Sequence, residues 1–148
     1  PMVTRRALIV SGCGAFAASV QVSPAFAGDE PYDVGRDDPD RKPILDAIRP
    51  RVESEMRGPV EFVVRSIRAQ GGFAFAVLDP QRPGGKPISP AETGHADAAE
   101  FMDGLTVYAL VLWSNDRWNL VDAVTGPTDV AYEPWPAIYG APPAIFGF

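Results

Sequence analysis

The chain has 148 residues, 13 of them Lys or Arg and 19 Asp or Glu, for a formal net charge of −6. That length holds one domain, and the composition is that of a globular protein rather than a disordered or fibrous one. The acidic balance leaves no basic stripe to neutralise phosphates, so neither DNA nor RNA is an expected partner.

Residues 1–27 read as an export signal. Arg5 and Arg6 form a positive start, Ala7 to Val22 is mostly apolar, and Ala25-Phe26-Ala27 has the small-x-small pattern that precedes cleavage. Thr4-Arg5-Arg6-Ala7-Leu8-Ile9 also resembles a twin-arginine signal, so both the Sec and the twin-arginine routes fit. Either route predicts a periplasmic protein. Val10-Ser11-Gly12-Cys13 resembles a lipobox, although the apolar stretch before it is short. The membrane is therefore a partner only if Cys13 is lipidated or the segment stays uncleaved as an anchor, and the apolar run falls short of the roughly 20 residues that span a bilayer. Cys13 is the only cysteine, so a domain starting at Gly28 has no disulfide and no thiol chemistry. Without Arg5 and Arg6 the 13 basic residues become 11 against 19 acidic, a formal balance of −8.

Residues 28–38, acidic and poor in apolar side chains, are expected to be a flexible leader, with a single domain over 39–148. A helix follows. Asp37, Asp38 or Asp40 can cap it, and Ile44, Leu45, Ile48, Val52 and Met56 recur at the spacing of one buried face. Pro50 predicts a kink or a break into two shorter helices, and Gly58-Pro59 a stop.

Residues 60–70 and 73–78 read as a hairpin about Gly71-Gly72, with a bulge near Arg65 to reconcile the alternation of the first strand. In the second strand Phe73, Phe75 and Val77 share one face, and Ala74, Ala76 and Leu78 the other. Residues 79–104, with four prolines and four glycines, form a long loop of the kind that is mobile or functional, and 96–102 suit a helical turn within it. Residues 105–113 and 118–124 complete the sheet as a second hairpin through Ser114-Asn115-Asp116-Arg117. Gly126-Pro127 ends it, with Thr128 or Asp129 able to cap a short helix. The proline- and aromatic-rich tail from Tyr132 is expected to fold back and seal an edge or end of the sheet. The predicted class is α+β: one N-terminal helix packed on a four-stranded antiparallel meander.

The segments 38–49, 60–64, 73–75 and 126–130 resemble a group of small secreted proteobacterial proteins of uncharacterised activity, which implies no role for any residue. In architecture the predicted helix and meander are similar to cystatin-like and NTF2-like folds. That resemblance implies a space between helix and sheet that serves enzymes, carriers and interaction modules alike.

Chemistry is sparse. His95, in the loop, is a candidate general base with Asp97 or a lone metal contact, and equally an exposed loop residue. With one histidine and no cysteine after position 27, no metal site or cofactor is expected. Asp122 and Asp129 are candidate acid–base carboxylates, or a wet-face residue and a helix cap. Arg65 suits an anionic ligand or a cross-strand acid. Tyr108, Trp113 and Trp118 offer an aromatic platform for a ligand or partner, or merely a stacked hairpin. No nucleophile elbow or phosphate loop is present. These residues point to a non-catalytic binding or accessory domain for a protein partner or small ligand. The alternatives are a small NTF2-like enzyme, with Asp122 or Asp129 as base and His95 or Tyr108 as acid, and an inner-membrane accessory subunit held by its N-terminus.

Overall fold

The computed structural model describes residues 30–127 and 129–148, so the segment expected to act as an export signal, Cys13 and Thr128 lie outside the described residues. The chain is α+β, but its sheet has five strands rather than four. They are β1 (Tyr32–Asp33), β2 (Glu61–Gln70), β3 (Phe73–Gln81), β4 (Val107–Ser114) and β5 (Arg117–Thr125), all antiparallel and in chain order across the sheet. Helix α1 (Arg41–Met56) lies between β1 and β2 in sequence, and α2 (Trp135–Tyr139) follows β5.

Within the segment expected to be a flexible leader, residues 32–34 join the sheet. Tyr32 and Asp33 pair with Ala69 and Arg68, the Val34 amide donates to the Ile67 carbonyl at 2.8 Å, and the Val34 side chain is buried. Helix α1 is continuous through Pro50. The ring lies on the exposed side, so the carbonyl of Asp46 loses its amide partner to water while the buried stripe is untouched. Ile44, Ile48, Val52 and Met56 are fully buried, as their spacing required.

That stripe rests on small side chains. Strand register aligns Ala76, Ala109 and Ala123 across β3, β4 and β5, with Ala69 and Ala74 paired beside them. All five are buried. Alanine lets the helix approach the sheet closely, and the interior between them is filled by the helix's own branched residues.

Both hairpins turn on two residues with left-handed backbone, Gly71-Gly72 (φ 58° and 82°) and Asn115-Asp116 (φ 55° and 59°). Turns of this hand match the twist of the paired strands. The register of β2 shifts between Val64 and Ser66, which makes Arg65 the bulged residue. In the long loop, residues 96–101 form a 3-10 turn.

The tail covers a face rather than an edge. Phe75 and Leu110, on the side of the sheet opposite α1, pack under Trp135, Ala141, Ile145 and Phe146. The sheet is therefore sandwiched, with the helix on the alanine face and the tail on the phenylalanine face.

Candidate functional site

Glu55, near the end of α1, organises the best-defined polar cluster. Its Oε2 accepts from Thr125 Oγ1 at 2.7 Å and lies 3.3 Å from His95 Nε2, and its Oε1 accepts from Arg51 Nε at 2.7 Å. The Gly94 amide donates to the Glu55 carbonyl at 2.8 Å. Thr93, fully buried, donates to the Pro90 carbonyl and accepts from the His95 amide, which fixes the bend of the loop. Burial pushes the Glu55 carboxyl up, but the hydrogen bonds from Thr125, Arg51 and His95, with the Arg51 charge, outweigh it and hold the group below its ordinary value. His95 thus clips the loop to α1 through Glu55, and the Asp97 pairing considered from sequence is not formed.

Asp122 sits on the other side of the sheet. It pairs with Leu110 at a bulge in β5, and its Oδ2 accepts from the Tyr139 hydroxyl at 2.5 Å, docking α2. That bond, then burial and the nearby charge, raise the Tyr139 phenol above its usual value. Asp129 is exposed and caps nothing: α2 begins behind Pro134, with no side-chain cap. His95 and Asp122 therefore do not converge, because His95 lies with Glu55 on the helix face and Asp122 on the tail face, where Tyr108 also lies.

Arg65 takes the cross-strand acid. Its Nε donates to Asp79 Oδ2 at 2.6 Å, Asp79 Oδ1 accepts from Thr106 Oγ1 at 2.7 Å, and the guanidinium is held more firmly protonated by Asp79. Tyr108 stacks on Tyr132 (4.9 Å between rings), and Tyr132 on Phe148 (6.2 Å), which is 59% exposed. Trp113 and Trp118 form a cross-strand T-shaped pair, with ring centroids 5.6 Å apart. Trp118 is buried, and its indole N–H donates to Asp40 Oδ1 at 3.2 Å. This corrects the idea of a surface platform at Trp118: the ring anchors the start of α1. Asp40 stands at the helix start without making a side-chain cap.

Sequence reasoning missed Glu55, Thr125, Tyr132 and Tyr139. Glu55 and Thr125 are 70 residues apart, and no local pattern links them. Arg82 was missed as well. Its guanidinium donates to the carbonyls of Met56 (2.7 Å) and Pro59 (3.1 Å), closing the C-terminal end of α1 with a cation.

A cavity of about 280 Å³ lies under the long loop, walled by Pro80, Pro87, Ile88, Pro90 and Leu105 with Asp79 at its edge. Among the described residues no group of three or more His, Cys, Asp or Glu could hold a metal, and no helix is long and apolar enough to cross a membrane. Comparison with family models, curated proteins and solved structures finds no match for this chain.

Proposed function

We propose that this chain is an exported, non-catalytic binding or accessory domain that works in the periplasm through a protein partner or a small ligand. One observation carries the reading: His95 is spent on Glu55 on the helix face and Asp122 on Tyr139 on the tail face, each holding elements together instead of meeting at one cavity. A general base and acid must both reach a common substrate atom, and the separation of His95 from Asp122 speaks against that pair. The single helix seated directly on a sequential meander supports a cystatin-like architecture over a pocketed NTF2-like one.

The surface best suited to contact is the stacked Tyr108–Tyr132–Phe148 row with Arg65 at its rim, an apolar platform with a cation beside it. Export rests on the features of residues 1–27.

The test is done in a Gram-negative host with the natural N-terminal segment. A periplasmic product whose mass begins at Gly28 supports export, and retention in the cytoplasm overturns it. In the same cells a photo-crosslinking residue replaces Phe148, or Asp116 on the distant hairpin. A discrete adduct from position 148 that is lost on Arg65→Ala, with none from position 116, supports the binding face. Turnover of any substrate that requires His95 or Asp122 overturns the non-catalytic reading.

A further inference from the structure

The outer edge of β2 is only half covered. β1 pairs with Arg68 and Ala69, and Val34 reaches Ile67, after which the chain leaves the sheet at Gly35. At the other end the Val60 amide donates to Glu53 Oε1 at 3.3 Å, and the Val60 carbonyl accepts from Arg49. Between these two anchors no described strand lies outside residues 61–66.

Direction follows from alternation. The outward groups of Val60 and Ile67, counted across the bulge at Arg65, put the main-chain N–H and C=O of Phe62 and Val64 on the open side too. An edge of this kind is a template for another strand. Side chains alternate with it: Glu61, Val63 and Arg65 are exposed, Val63 at 48%, while Phe62 and Val64 are half-buried against the helix side.

We propose that this edge binds a second copy of the same chain, as an antiparallel, two-fold pairing of β2 with β2 centred on Val63. The five-residue segment is self-complementary in that register. Glu61 faces Arg65 of the other copy, Arg65 faces its Glu61, the two Val63 side chains meet at the axis, and Phe62 meets Val64. A two-fold interface repeats each of these contacts. Opposite charges across an antiparallel pair favour the register, and like charges there oppose it. Both charged side chains are already held at the edge, Glu61 by the Gly84 amide at 3.2 Å and Arg65 by Asp79. Beyond Arg65 a cleft of about 360 Å³, lined by Gly35, Arg36, Arg41 and Ser66, leaves room for the incoming strand to continue. The contact is small, so the dimer is a reversible one.

The edge shares Arg65 with the rim of the aromatic face, but Glu61→Arg leaves that rim untouched and so separates the two, and charge exchange tests the pairing. In sedimentation of the purified full chain, Glu61→Arg alone and Arg65→Glu alone each place like charges across the pair and weaken dimerisation at least about tenfold. Mixed in equal amounts, the two variants carry only opposite charges across the interface and form a heterodimer. Restoration on mixing cannot come from a folding defect. In a Cys13→Ser background, Val63→Cys crosslinks two copies under mild oxidation while Asp116→Cys does not, as expected where two Cα atoms sit at strand-pair distance. Unmodified protein that stays monomeric at millimolar concentration, or single variants that dimerise as well as the unmodified chain, overturns the proposal.

Discussion

Replacing Ala109 with Leu asks whether the space between α1 and the sheet is full. Ala109 is fully buried at the centre of β4, flanked in register by Ala76 and Ala123, with the completely buried Ile48 and Val52 of the helix on the same side. Leucine adds three carbon atoms where the neighbours are backbone-bound alanines and a packed helix. Overpacking of a filled core costs about 1–3 kcal/mol, and a three-carbon insertion belongs toward the upper end. For a small domain with a urea slope of about 1–3 kcal/mol/M, a loss near 2 kcal/mol lowers the midpoint by about 1 M. Urea unfolding followed by Trp fluorescence and far-ultraviolet circular dichroism reads this directly. Ala96→Leu on the exposed loop is the control and should stay within about 0.5 kcal/mol of the parent. If Ala109→Leu leaves the midpoint unchanged, the helix and sheet enclose usable space, and the argument against an enzyme-like pocket fails with it.

Two other substitutions address the polar anchors, and a third a tight glycine. Trp118→Phe keeps an aromatic ring but removes the donor to Asp40, a loss of about 1.5–3 kcal/mol for a bond to a carboxylate; denaturation at neutral pH should show it, and a change below about 0.5 kcal/mol would mean the bond contributes nothing. The folded Glu55 carboxyl titrates below its ordinary 4.5, so its contribution is complete above the unfolded value and is lost as the pH falls through the lower, folded one. Glu55→Gln should therefore flatten the acid limb of stability and speed amide exchange at His95, and an unaltered acid limb would contradict the assignment. Gly126 has φ +60° and sits where a Cβ would strike Met102 and the backbone of Gly104, so Gly126→Ala should cost more than about 1 kcal/mol, measured as a lower thermal midpoint.

The main helix was legible because Ile44, Ile48, Val52 and Met56 repeat over four turns, a signal that tertiary context only had to accept. The two hairpins were legible for a different reason, since Gly71-Gly72 and Asn115-Asp116 tolerate the left-handed backbone their turns demand. β1 was not, because two residues carry no period and Tyr32 and Asp33 become a strand only when Ala69 and Arg68 are already in place. Pro50 misled because local propensity was weighed without knowing that its ring would point to solvent. The tail was recognisably apolar, yet nothing in its order says which face of the sheet receives Trp135 and Ile145. For the candidate site, the residue types were visible and their partners were not: His95 meets Glu55 across 40 residues, and Trp118 meets Asp40 across 78.

Helix α1 and strand β5 lie side by side and are fastened at both ends, Asp40 to Trp118 and Glu55 to Thr125. The lengths agree, since 15 helical steps and seven strand steps each cover roughly 23 Å. The fasteners join the first third of the described chain to its last third, so an emerging polypeptide can close neither of them until β5 has been synthesised. Such distant closures are slow to form. A growing chain cut anywhere before Arg117 should accordingly remain loose and threadable, and the commitment to a rigid body comes only with the final hairpin.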